Sequence, residues 1–409
     1  MKSAPLTPCI NEALPEEVLG VIFEEHAKLE WKAPVIDGQV CRQWQQIILR
    51  SPRAWAHLDI SKFSKSPSSK LHQWLDRSGS VPLHIKATKC IQGIEEVLGR
   101  HHKRIKSIEM SGYPTNLALL ENRSFPILQS LNITGPGSHN SVVHCHAMPE
   151  LRSLQAHFIS MDYLPPNAVP PLRDLILYKV KDCDYIIQNS YRSLTSLMLS
   201  RIALQYTLET LEFPSLRFLS LYEVKNVKHR MDVPALTTYH ESEGVKEESF
   251  SMPLPFLVEY GFYSYQSIAP PNVTNLHQHY PNISRLSFRT YAGDAKLFCR
   301  SLCDQPTALP MLRIFAAQAK YFCADYSRED KHSMMNDVFE RNMANSVKME
   351  LCFDRNRVPL YFGDVSVYTN EGQSELTSTL SARITPIEDL SFVLGLLIPW
   401  IKVQHILFL

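Results

Sequence analysis

Two groups of side chains in this 409-residue chain have the types that do chemistry. His139, His144, Cys145 and His146 fall within eight residues of one another, with Cys183, His277 and His279 further on. Imidazole and thiolate are zinc ligands, but structural zinc sites take them from paired spacings, which are missing here. In an extended HCH stretch alternate side chains also point opposite ways. Loop histidines without a metal are the expectation. The second group, Asp325, Glu329 and Asp330, offers the carboxylates that general acid–base work needs, yet it belongs to no catalytic motif and reads as a solvated face. The chain holds no G-x-x-x-x-G-K-S/T, G-x-G-x-x-G, G-x-S-x-G or H-E-x-x-H, which removes the common phosphate, dinucleotide, hydrolase and zincin readings. No catalytic residue, metal or cofactor is assigned, and binding rather than catalysis is expected.

The residues best suited to recognition are Tyr178, Phe218, Tyr222, Tyr263, Arg285 and Arg289. Aromatic rings bury much area and guanidinium groups fork onto carboxylates, so both anchor protein interfaces. Lys plus Arg at 42 against Asp plus Glu at 41 leaves a net charge of +1, with no global field toward nucleic acid or anionic membrane. Basic residues such as Lys103, Arg104 and Lys106 are not interleaved with an aromatic stripe suited to bases. The nine cysteines are an odd number without regular spacing and fit free thiols in a reducing compartment, cytoplasmic or nuclear. The N-terminus does not read as a signal peptide, so the sequons at Asn132, Asn272 and Asn282 are expected to carry no glycan. The tail Leu390 to Leu409 is apolar, but its cleanest run, Ser391 to Ile401, is shorter than the roughly 20 residues of a spanning helix; buried structure is expected there, not a membrane anchor.

The elements that must hold these anchors are written in a repeat. RIKSIEM, ILQSLNI, ELRSLQA, PLRDLIL, SLTSLML, SLRFLSL, ALTTYHE, FLVEYGF, NISRLSF and MLRIFAA place an apolar residue at Ile105, Leu128, Leu151, Leu172, Leu194, Leu216, Leu236, Leu257, Ile283 and Leu312. The steps are 23, 23, 21, 22, 22, 20, 21, 26 and 29 residues. Such a period matches leucine-rich repeats, in which each unit supplies one short strand and neighbours stack into a curved solenoid with a parallel sheet. Alternate strand residues then face the open side, among them the six anchors above together with His157, Met198, Ser220 and His240. After each strand an aliphatic residue (Ile159, Val180, Ile202, Val224) stands where the common repeat has Asn or Cys, so no asparagine ladder is expected. The period lapses after Leu312 until VKMELCF, which predicts a helical insertion over 320–345; Thr385 to Glu388 reads as a capping box that opens a final helix.

Ahead of the repeats, Leu14, Val18, Leu19, Ile22 and Phe23 recur at helical spacing, and Val40, Trp44, Ile47 and Ile48 do so over Gln39 to Leu49. Pro34 and Gly38 in WKAPVIDGQ predict a loop between the two helices. The stretch SKFSKSPSSK reads as a linker. The fold class is thus α/β: a helical domain over 11–60, a linker over 61–80 and an irregular solenoid over 81–409.

LPEEVLGVIFEEH followed by VCRQWQQIILRSPRAWAHLDI resembles an F-box, above all that of the expanded F-box families of mushroom-forming fungi, where the Ser-Pro-Arg-x-Trp ending is common. The resemblance implies a partner, the Skp adaptor of a Skp/cullin/F-box ubiquitin ligase, with Leu14, Pro15, Val18, Leu19, Ile22, Phe23, Val40, Cys41 and Trp44 forming or supporting the contact. The implied function is a non-catalytic substrate-recognition adaptor in the ubiquitin conjugation pathway, with a protein target on the solenoid. The alternative is a leucine-rich scaffold outside ubiquitination, its N-terminal helices serving only as a cap.

Overall fold

The protein, in the form of a computed structural model, is described for residues 14–352 apart from 64–66, 89–93, 112–119, 121–122, 136–141, 144–147, 162–169, 205–211, 226–230, 243–253, 264–271, 291, 320–326 and 345–348. The first helix, α1 (Glu16–Leu29), follows Pro15 and puts Glu16 and Glu17 in its first turn, where carboxylates suit the helix dipole. Its buried residues Leu19, Phe23 and Ala27 recur every fourth position and form a single inward stripe.

The expected loop is instead a short helix, α2 (Ala33–Asp37). Pro34 lies in its first turn, where a missing N–H leaves no hydrogen bond unmade. Gly38 caps its C-terminal end, where a Cβ would stand 2.9 Å from the Pro34 carbonyl oxygen. Buried Asp37 accepts from His26 Nδ1 at 2.9 Å and ties α2 to α1. Helix α3 (Arg42–Leu49) buries Ile47 and Ile48 and stops ahead of Pro52.

Thirteen strands then form one open sheet in which each lies beside its predecessor in the chain: β1 (His57–Asp59), β2 (Leu83–Ala87), β3 (Ile105–Ser111), β4 (Ser130–Thr134), β6 (Ser153–His157), β8 (Asp174–Tyr178), β9 (Ser196–Ser200), β10 (Phe218–Tyr222), β11 (Thr238–Ser242), β12 (Glu259–Tyr263), β13 (Arg285–Thr290), β14 (Ile314–Ala319) and β15 (Glu350–Cys352). Every pairing is parallel. Two short strands, β5 (Val142–Val143) and β7 (Ser160–Met161), pair separately. The ten residues that set the repeat, from Ile105 to Leu312, are each at most 1% exposed. They stack with alternate strand residues such as Leu131, Leu154, Leu175, Leu197 and Leu219 into one continuous core.

Four strand ends share a turn that explains the aliphatic substitution. Phe158, Lys179, Arg201 and Glu223 directly follow β6, β8, β9 and β10, and all have φ between 48° and 55°. That left-handed step costs a non-glycine residue about 1 kcal/mol or more. Their N–H groups are satisfied across the array: Phe158 donates to the Tyr178 carbonyl (3.0 Å), Lys179 to that of Ser200 (2.9 Å), Arg201 to that of Tyr222 (2.8 Å), and Glu223 to Ser242 Oγ (2.7 Å). The turn then sends Ile159, Val180, Ile202 and Val224 into the core.

Two expected boundaries are corrected. β1 lies inside the region 11–60 that was expected to be helical, and the expected linker over 61–80 begins in a 3-10 turn (Ile60–Phe63) and continues as α4 (Pro67–Arg77). Leu71, Trp74 and Leu75 of α4 are buried, with the Trp74 ring 5.5 Å from Trp31 and 4.8 Å from Trp55. The remaining α-helices among the described residues are α5 (Ile94–His101), α6 (Asp184–Ser190), α7 (Val273–His279), α8 (Ala292–Asp304) and α9 (Arg328–Ala344). The last falls within the helical insertion expected over 320–345. All described residues belong to one unit, Met1–Arg355. The capping box at 385–388 and the tail lie outside the described residues, among which no helix is long and apolar enough to cross a membrane.

Candidate functional site

The helical unit exposes apolar side chains. Of twelve exposed large hydrophobic residues among those described, six stand in α1 to α3 and their connections: Val18, Val21, Leu29, Val35, Val40 and Leu49. These six fall within residues 18–49. The nine residues read as adaptor-binding divide by position. Pro15, Val18 and Val40 are exposed; Leu14, Ile22, Cys41 and Trp44 are partly buried. Leu19 and Phe23 are turned inward and 1% exposed, so they support the surface rather than form it. Phe23 meets Trp44 with ring centroids 4.9 Å apart and fixes the angle between α1 and α3. Val21, Leu29, Val35 and Leu49, which the motif match does not include, are exposed as well.

The second region is the open face of the sheet. The strand register aligns three rows across β10 to β13. Phe218, Thr238, Glu259 and Arg285 form one, Ser220, His240, Gly261 and Ser287 the middle one, and Tyr222, Ser242, Tyr263 and Arg289 the third. The middle row is small and close-packed. A Cβ on Gly261 would stand 2.7 Å from His240 Cδ2 and 3.1 Å from Ser287 Oγ.

The six residues expected to stand as exposed anchors do share this face, but four of them, Tyr178, Tyr222, Tyr263 and Arg289, are buried. Only Phe218 and Arg285 are partly open. The reason is the parallel register, which stacks bulky side chains strand upon strand. Tyr178 sits 5.8 Å from the His157 ring, and its hydroxyl accepts from Arg201 Nη1 at 3.1 Å. The Arg201 guanidinium lies 5.9 Å from both the Tyr178 and Tyr222 rings and pairs with Glu223 at 2.9 Å.

At the other side of the face, Glu259 stands 3.4 Å from both His240 Nε2 and Arg285 Nη1. Burial works against its ionised form, yet the two basic neighbours outweigh it and hold the carboxyl below its ordinary value. Ser220 stands next to His240 in the row and Ser287 lies beyond Gly261, but neither hydroxyl has a hydrogen-bond partner, so the serine–histidine bond that activates a nucleophile is not formed.

Among the described residues the chemistry-bearing groups of the sequence are not gathered. His139, His144, Cys145, His146 and Asp325 lie outside the described residues. Burial lifts the Cys183 thiol to about 12, far from a thiolate ligand. His277 Nδ1 accepts from the Leu309 N–H and His279 lies near the Asn275 carbonyl, so both are engaged locally. Asp330 accepts from Ser327 Oγ while its own N–H donates back, a reciprocal cap at the start of α9. Among the described residues no group of three or more potential metal ligands converges. A cleft of about 580 Å³ opens between Thr195, Pro214, Ser215, Arg217 and Ala235, at the edge where the chain enters the strands. Comparison with known proteins finds no matching family model, no matching curated protein and no matching solved structure.

Proposed function

We propose that this chain is a substrate-recognition adaptor of a Skp/cullin/F-box ubiquitin ligase, with α1 to α3 docking the Skp subunit and a leucine-rich-repeat solenoid holding a protein target. The observation that carries the reading is the exposed set Val18, Val21, Leu29, Val35, Val40 and Leu49 within the segment that resembles an F-box. Helices this small usually need a partner or neighbour to cover their apolar surface. The adaptor has no bond-making step of its own. It raises the concentration of target lysines near the ubiquitin-carrying enzyme, an effective-molarity effect. Such a protein works in the cytoplasm or nucleus.

A second reading, a repeat scaffold outside ubiquitination with the helices as a cap, draws on the burial of Trp55 and Trp74 between the helices and the first strands. Affinity recovery from native cells separates the two. Skp and cullin subunits accompany the wild type but not Val18→Glu/Val40→Glu under the first reading, and accompany neither under the second.

A further inference from the structure

We propose that the edge of the sheet where the chain enters β3 to β10 docks an acidic segment of a protein target, an inference that rests on the reading of this half as target-binding. Lys106, Gln129, Arg152, Arg173, Thr195 and Arg217 occupy the same place in six successive coils. Their backbones form one ladder, each N–H donating to the carbonyl of the residue before, at 2.8, 2.9, 2.7, 2.8 and 2.9 Å. At a strand spacing of about 4.8 Å, Arg152 and Arg173 stand about 5 Å apart, Arg217 about 10 Å further on, and the whole row spans about 24 Å.

Arg152, Arg173 and Arg217 are exposed, as is Arg192 in the turn ahead of β9. Among the described residues Arg152 pairs with Glu150 alone, at 3.9 Å, and neither Arg173 nor Arg217 has a carboxylate within 4 Å; half-buried Asp174 hydrogen-bonds Thr195 and offsets part of the Arg173 charge. Cations set this close repel one another until an anion lies along them. The cleft of about 580 Å³ lined by Thr195 and Arg217 opens at the end of the row and gives a neighbouring side chain a seat.

An extended peptide fits the spacing. Its same-side residues recur about every 6.8 Å, so about seven residues cover the row. The row holds no aromatic side chain on which bases would stack, which favours carboxylates over nucleic acid.

Fluorescence polarisation of a fluorescein-labelled octaglutamate peptide on the full chain tests this. Binding is expected for the wild type, weakened at least tenfold by Arg173→Glu/Arg217→Glu, and unchanged by Arg313→Glu, an exposed residue of the same ladder ahead of β14. Raising salt weakens it as well. Thermal melts establish that the double variant is folded; if it is not, Arg173→Gln/Arg217→Gln replaces it. Absence of wild-type binding, or equal binding by both forms, overturns the proposal. So does a single-stranded RNA octamer that binds tenfold tighter than the peptide. Skp recovery by the double variant is expected to stay intact, so loss of this site and failure of the ligase reading give different results.

Discussion

The rings of Trp55 and Trp74 meet edge to face, 4.8 Å apart and inclined at 73°. Trp55 also donates from Nε1 to the Ile48 carbonyl of α3 at 2.9 Å, and the Arg77 guanidinium lies 4.4 Å from its ring. One indole therefore touches α3, the segment expected to be a linker, and the chain that enters β1. The helical unit and the sheet share a core at this point. Trp74→Ala is expected to cost about 3–5 kcal/mol. Denaturant titration measures the loss, and hydrogen exchange should show α1 and β2 loosening together. Exchange confined to α4 would mean that the helices and the sheet are independent.

Two histidine sites give pH effects of opposite sign. The Asp37 hydrogen bond raises His26 above 6.5, even though burial opposes it. Its stabilising effect is full below about pH 6.5 and is lost as pH rises through the raised folded value. His57 and His84 stack with centroids 4.5 Å apart, and burial above all lowers them to about 3 and about 4. They are neutral in the fold, so the stability linked to them is present above pH 6.5 and is lost as pH falls toward 4. Melting curves check both. His26→Gln should remove part of the decline between pH 6 and 8, and His57→Asn/His84→Asn part of the decline between pH 6.5 and 4. The opposite assignment would contradict the two environments.

Gly261→Ala is expected to destabilise by about 1–3 kcal/mol, since the added methyl meets the His240 ring at 2.7 Å and Ser287 Oγ at 3.1 Å. A neutral effect on the melting temperature would show that the middle row is looser than the register implies.

The strands were legible because core leucines at a near-constant step, alternating with outward residues, leave one reading open. All ten expected strands from Ile105 to Leu312 are present. Helix α4 was not legible because its polar opening, Pro67 to Lys70, masks the stripe Leu71, Trp74 and Leu75 that follows at helical spacing. Pro34 was misread because a proline that breaks a helix interior is at home in a first turn. The burial of Tyr178, Tyr222, Tyr263 and Arg289 depends on neighbours about 20 residues away in sequence. A clue was present all the same: SLMLS, FLSLY and EYGFY carry bulky or small residues on both faces, the pattern of a strand covered on both sides. The exposed set on α1 to α3 was half legible, because periodicity finds an apolar stripe but does not say which part of it remains uncovered.

The central claim is that the uncovered aliphatics of the helical unit dock a Skp subunit, and direct titration of purified Skp subunit against the purified full chain tests it most closely. Val18→Glu/Val40→Glu changes only exposed positions and is expected to keep the melting temperature while weakening binding at least tenfold. Leu297→Glu/Phe339→Glu, at still more exposed positions on α8 and α9, is expected to bind as the wild type does. Equal affinity for the first variant and the wild type, or no measurable affinity for either, would contradict the account.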